Sequence, residues 1–246
     1  ERVGDAPGAV GRLRELLLDL AIQGKLASQD PQDEPADQLL CRIEKAIRDA
    51  GVKPKLAKAI SDPSFSIPST WVWTQLARIG EISPRNDCKN DRITAFIPMP
   101  MIFSELAKKN EHEPRPWGEI KKGYTHFAEG DVGLAKITPC FENGKSTIFE
   151  NLSGGIGAGT TELHIVRPYL IDPQFILIFL KSPHFIKSGI PKMTGTAGQK
   201  RIPRDYFAYS PFPLPPLAEQ HRIVQRVDEL MALCDQLEAA QTTRDQ

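Results

Sequence analysis

The chain has 246 residues, 40% of them hydrophobic and 25% charged, enough for one large domain or two small ones with a core of ordinary size. Lys plus Arg and Asp plus Glu each number 31, so bulk charge gives no argument for nucleic-acid binding, although a local basic face stays open. No stretch approaches the ~18 consecutive apolar residues of a membrane span, no signal peptide is visible, and Cys41, Cys88, Cys140 and Cys234 form no CxxC pair; the expectation is a cytoplasmic chain without disulfide framework or metal site.

Residues 1–11 read as a flexible Gly/Ala-rich lead. Residues 12–24 read as a helix with Leu13, Leu16, Leu17, Leu20 and Ala21 on one face and Gly24 past its end. After the polar turn 28–35, a second helix is expected over 36–50, with Leu39, Leu40, Ile43 and Ile47 on one face and Gly51 as its stop. Cys41 and Cys234 are placed on apolar helix faces, where a thiol acts as a small hydrophobe. The stretch 51–68 is basic, proline-punctuated and irregular, and reads as a linker. From Trp71 aromatic and β-branched residues point to a strand and a turn. Residues 84–92 form a polar loop, 93–102 an extended segment, and 108–122 a charged, exposed stretch.

Residues 124–149 alternate short apolar runs with the turns Glu129-Gly130-Asp131 and Glu142-Asn143-Gly144, the pattern of strands and hairpins. A Gly-rich loop then leads into a strand at 162–166, and 173–182 reads as a short buried helix. Residues 193–203 form a small-residue loop with a basic end. Four prolines, Pro211, Pro213, Pro215 and Pro216, precede a long helical pattern. In it Ile223, Val227, Leu230, Cys234 and Leu237 recur at spacings of 4, 3, 4 and 3, a coiled-coil seam for a partner helix or the packed face of a terminal helix. Glu219, Arg222 and Arg226 are assigned to its other faces.

Local chemistry motifs fall short. In GGIGAG (154–159) Thr160 stands where a dinucleotide fingerprint needs its third glycine, and the run precedes a strand rather than a helix. In ENGKST (142–147) the leading glycine of a P-loop is replaced by Pro139. The five histidines make no HExxH, and there is no GxSxG. The loop 195–201 carries the best ligand chemistry: Gln199 can pair with adenine, Lys200 with a phosphate, and Arg201 with either a phosphate or guanine.

The segment PLPPLAEQHRIV with VDELMALCDQLE (213–238) resembles the junction in specificity subunits of type I restriction–modification systems, where a target-recognition domain meets a long helix. Residues 13–43 resemble the N-terminal helical region of that family, 67–82 the entry to a recognition domain, and 139–168 with 193–207 its later parts. The resemblance implies a non-catalytic subunit that reads one half of a bipartite duplex DNA target. It also implies docking to methyltransferase (modification) subunits that hold S-adenosylmethionine, with a restriction subunit using ATP and Mg in the full complex. No cofactor is expected on this chain. One recognition domain, and Glu1 in place of methionine, suggest an N-terminal half of a longer subunit or a half-length form completed by a homodimer.

The resulting expectation is an α+β chain: N-terminal helices and linker (1–66), a mixed, strand-rich recognition domain (67–212) and a spacer and docking helix (213–246). Candidate DNA contacts, chosen on residue chemistry and loop placement, are Arg85, Asn86, Lys89, Asn90, Arg92, Lys121, Lys122, Lys145, Gln199, Lys200 and Arg201. Candidate docking residues are Ile223, Val227, Leu230, Cys234 and Leu237. The alternatives are an interaction scaffold with weak DNA binding alone, or a stand-alone DNA-modifying enzyme.

Overall fold

Two amphipathic helices begin the fold. The computed structural model describes residues 8–244 except 54, 61, 62, 64 and 197, without the side chains of 243 and 244; residues 1–7 of the expected lead lie outside them. Gly8 sits at the head of α1 (Ala9–Ile22), so the helix starts earlier than its leucine pattern suggested. Its buried face is Val10, Leu17, Leu18, Ala21 and Ile22. Leu13 and Leu16 point to solvent, a correction to the predicted stripe. Gly24, at φ +70°, turns the chain out of the helix. In α2 (Ala36–Asp49) the predicted face is buried, but Cys41 is exposed. Gly51 donates to the Arg48 carbonyl at 2.9 Å and Val52 to the Ile47 carbonyl at 3.2 Å, closing that helix in a left-handed cap.

The chain next makes β1 (Val72–Thr74), the short helix α3 (Leu76–Ile79), β2 (Gly80–Ile82) and β3 (Ile93–Ile97). A 3-10 turn at Met99–Met101 follows. The charged stretch 108–122 is not simply exposed: it holds β4 (Glu113–Pro116) and the single-turn helix α4 (Trp117–Ile120), whose Trp117 is fully buried. Then come β5 (Thr125–Ala128), β6 (Val132–Ala135), β7 (Ser146–Ile148), β8 (Ile156–Gly159) and β9 (Leu163–Pro168). The all-apolar run of α5 (Pro173–Lys181) is buried nearly all round. Asp172 caps α5 by accepting from Gln174 N at 2.8 Å. The chain closes with α6 (Pro183–Gly189), α7 (Arg204–Tyr209), β10 (Phe212–Leu214) and α8 (Leu217–Arg244).

The strands form a β1–β10 ribbon, an antiparallel sheet β2-β9-β6-β7 and a mixed sheet β4-β3-β8-β5 in which β3 and β8 run parallel. The predicted Gly-rich loop is thus partly a central strand. A Cβ on Gly157 would lie 2.3 Å from the Ala95 carbonyl oxygen, and one on Gly159 2.1 Å from that of Ile97. Glycine lets β3 and the Phe127 ring close onto β8, which neither β-propensity nor periodicity reveals.

Apolar clusters hold the layers. One joins α1, α2, α5 and α8 to Val132, Leu134, Ile148 and Val166 of the first sheet. A second packs the two four-stranded sheets together, with Phe127 and Phe149 stacked at 3.8 Å. A third seats Trp117 and Ile120 of α4 on Phe96 and Ala158. The result is the expected mixed α+β architecture with helices at both ends. Among the described residues no helix is long and apolar enough to cross a membrane, and no group of His, Cys, Asp or Glu could hold a metal ion.

Candidate nucleic-acid interface

The candidate contacts fall into two groups, tied to opposite ends of β9. At its C-terminal end Arg167 meets the buried Asp131 through both carboxylate oxygens at 2.9 Å, and Asp131 accepts Ala128 N at 2.8 Å. Burial pushes the Asp131 carboxyl upward against the pull of Arg167. Asn86 sits above this pair. Its Oδ1 accepts from Arg167 at 2.9 Å, its Nδ2 donates to the Phe127 carbonyl at 2.7 Å, and its backbone N donates to His126 Nδ1 at 3.2 Å. His126 Nε2 lies 2.9 Å from the Lys121 carbonyl, which links the 84–92 loop to the turn carrying Lys121 and Lys122. Burial pushes the His126 imidazolium down, and nearby Arg85 adds to that.

The rest of this loop is pinned as closely. Lys121 Nζ donates to Asn90 Oδ1 at 2.7 Å, Gly118 N to the Asn90 carbonyl at 2.8 Å and Arg92 to the Gly154 carbonyl at 2.6 Å. Asn86, Asn90, Arg92 and Lys121 therefore frame the loop. Arg85, Lys89 and Lys122 are exposed and have no side-chain bond or ion partner among the described residues.

The second group lies at the N-terminal end of β9, around Thr194 and Arg201. Thr194 and Arg201 exchange backbone bonds at 3.0 and 2.8 Å. The Arg201 guanidinium grips the Glu162 carboxylate, with bonds of 2.7 to 3.1 Å, and reaches back to the Gln199 carbonyl at 3.1 Å. The side-chain bond to Arg201 pulls the Glu162 carboxyl down. Gln199 and Lys200 stay exposed, and the half-buried Lys145, at the foot of β7, has no acidic partner among the described residues. Arg201, expected as a contact on its charge, is engaged by Glu162 39 residues away, and the Arg167–Asp131 pair, 36 residues apart, was not among the expected site residues at all.

A third framework residue went unnoticed. Lys181, buried at the end of α5, donates to the Ser104 carbonyl at 2.8 Å and the Gly144 carbonyl at 3.0 Å. It ties the 99–107 segment to the turn before β7. Desolvation lowers its pKa to about 7.

The predicted seam on α8 finds a partner inside the chain. Ile223, Val227 and Cys234 are fully buried, Ile223 and Val227 in the main cluster and Cys234 against Val10 and Leu17 of α1. Leu230 is half-buried beside them, but Leu237 is 51% exposed. Arg14 locks the pair along one side through Asp235 at 2.6 Å and Glu238 at 2.7 Å. Exposed Leu13 and Leu16 of α1, with Leu233 and Leu237 of α8, remain uncovered.

Glu219, expected on an outer face, is fully buried and accepts from Gln29 at 3.1 Å. Desolvation pushes its carboxyl up. Gln220 beside it accepts Asp172 N at 3.0 Å and donates to the Pro215 carbonyl at 2.9 Å. Arg222 bridges Asp33 at 2.6 Å. These bonds clamp the proline junction to the 28–33 turn.

No protein-family model matches the chain. It is 50% identical to the type I restriction enzyme EcoAI specificity subunit of Escherichia coli, over 95% of this chain and 41% of that protein. It is 48% identical to the EcoEI specificity subunit of the same organism, with the same coverage. The chain spans about two-fifths of the length of these relatives. Among solved structures, the HsdS subunit from Thermoanaerobacter tengcongensis superposes with a TM-score of 0.53 at 16% identity, over 94% of this chain and 49% of that one. A chain from a structure of type I R-M complex assembly and conformational transition gives 0.54 at 16% identity, over 96% and 53%. These two likenesses show the shared fold.

Proposed function

The chain belongs to the family of type I restriction enzyme specificity subunits, and from that premise we propose that it reads one half of a bipartite duplex DNA target and docks a methyltransferase subunit. Residues 67–212 are the recognition domain in this reading, 1–66 and 213–246 its helical supports. The chain itself does no chemistry. S-adenosylmethionine, ATP and Mg belong to the modification and restriction subunits.

The observation that carries the reading is the first loop group. Arg85, Lys89 and Lys122 stand exposed and, among the described residues, unpaired, on loops pinned by Asn86, Arg167 and Asp131. Preorganised cations over a fixed scaffold suit phosphate and base-edge contact, because ordering the loops costs little on binding. Lys145, Gln199 and Lys200 are the contacts proposed at the other end of β9. Asn86, Asn90, Arg92, Lys121 and Arg201 act by positioning. The leucine face shared by α1 and α8 is the proposed docking surface, for a modification subunit, a second specificity half or another copy.

The test is selection of a bound sequence from a random duplex library, followed by titration of Lys89→Gln and Lys122→Gln across ionic strength. Each substitution is expected to lower the salt slope of binding by about 0.9 and to leave stability within about 0.5 kcal/mol. Recovery of no enriched sequence by the isolated chain, with enrichment restored by the modification subunit, would favour the scaffold reading; the uncovered leucines are the observation behind that alternative.

A further inference from the structure

A second basic surface lies outside the recognition loops. In the stretch after Gly51, expected as a linker, the described residues have no regular secondary structure, but Val52 and Lys58 are held across the fold. Val52 N donates to the last turn of α2. At Lys58, the buried Gln75 side chain accepts the backbone N at 3.1 Å and donates to the carbonyl at 3.0 Å. The same amide nitrogen also donates to the Tyr209 carbonyl at 3.2 Å, at the end of α7. A glutamine on the inner side thus fixes the register of this strap against α3, which packs between α2 and α7.

Along the strap, Lys53 is exposed and Lys55 half-buried. Lys45 and Arg48 on α2 and Arg204 at the head of α7 extend the positive surface. None of these five has an ion partner among the described residues. Of the nearby acids, Glu44 is engaged by Arg78, Asp205 by Lys58 and Glu81 by Arg167, which leaves exposed Asp49 at the end of α2 without an ion partner among the described residues. A cavity of about 360 Å³ separates the strap from α2 and is lined by Arg48, Lys55 and Arg78 with Glu44. Burial, and then repulsion from Arg204, pull the Lys55 ammonium down. Positive charge is crowded here in a chain whose formal net charge is zero.

We propose that this strap, with Lys45, Arg48 and Arg204, follows the phosphate backbone of duplex DNA outside the base pairs that are read. The proposal rests on the DNA-binding reading above and adds a contact to it. Lysine-rich composition favours phosphate over an acidic protein surface. Protein interfaces are depleted in lysine, whereas an ammonium on a flexible stem meets phosphate as a point charge without demanding geometry. Leu56, 90% exposed between the lysines, supplies a separate probe: a protein partner would bury it.

The experiment measures binding of the subunit, in complex with its modification subunit, to its selected duplex with long and with trimmed flanks, for wild type and the Lys53→Gln/Lys55→Gln double variant. The variant is expected to bind the long duplex about tenfold more weakly near 0.1 M salt, with a salt slope lower by about 2. Its preference for target over scrambled sequence should be unchanged, and trimming the flanks should abolish its deficit. An unchanged slope with intact selective binding overturns the strap proposal alone. Absence of selective binding by the wild type overturns the DNA reading and the strap with it. Loss of the modification subunit on Leu56→Ala, with DNA affinity of the lysine variant unaltered, assigns the surface to a protein partner and overturns it too.

Discussion

The two ends of β9 use arginine in opposite ways. At one end Arg167 is partly buried, fixed by Asp131 and Asn86, and Arg85, Lys89 and Lys122 nearby have no ion partner among the described residues. At the other, the surface arginine is the one that is fixed: Arg201 closes its own loop by gripping Glu162, leaving Gln199 and Lys200 as the exposed groups. The lesson is that a cation's availability depends on an acid brought in by another strand, and charge along the sequence does not report it.

The sharpest way to break this contrast is Asp131→Asn. Removing the buried carboxylate leaves Arg167 with Asn86 and Glu81 as its remaining partners, and about 1–3 kcal/mol of stability should go, read from urea unfolding with the slope m unchanged. A loss below 1 kcal/mol would place Asp131 outside the framework.

Acid should sharpen the contrast at the other end. His164, beside Glu162 on β9, donates from Nε2 to the Ile202 carbonyl at 2.9 Å and stacks on Phe207. Burial lowers its pKa to about 4. The unfolded chain takes up this proton near the ordinary value of 6.5, but the folded chain refuses it until about pH 4. Stability therefore falls as pH drops through that window, by about 3 kcal/mol in all. A His164→Gln variant should lose this part of the pH dependence when unfolding is followed between pH 7 and 4.

The smallest effect should come from Arg201→Ala and Glu162→Gln. If Arg201 positions the loop, both weaken DNA binding a few-fold and both loosen residues 195–200, seen as faster amide exchange. If Arg201 is itself a reader, Glu162→Gln frees it and binding strengthens, so the two substitutions separate by sign.

Much of the helical part was legible because one residue's neighbours along the chain set its face. Leu39, Ile43 and Ile47, or Ile223 and Val227, satisfy a local period, and the core has no choice but to receive them. Even so, α1 rotated away from its predicted stripe, since α8 and α5 together cover Leu17 and Leu18 but leave Leu13 and Leu16 outside. The recognition region resisted for a different reason. β8 is a strand because two distant strands approach it closely, and its glycines look like a loop to any local rule. Trp117 is buried inside a charged stretch because α4 covers the outer face of a sheet that only the tertiary fold creates. Asp131, Glu162 and Glu219 gained meaning from partners that sequence spacing cannot supply.

The clamp at the start of α8 has a mechanical consequence. The helix runs 28 residues from a base fixed by Glu219, Gln220 and Arg222. At 1.5 Å per residue its reach is about 42 Å. A tilt of about 10° at that base would carry the far end about 7 Å, or about two steps of 3.4 Å along a DNA strand. Three side chains beside a proline turn, with the α1 contacts at Cys234, Asp235 and Glu238 farther along, thus hold the angular tolerance of a long lever, and small substitutions at Gln220 or Asp33 should shift what its tip can reach most when Arg14 is also removed.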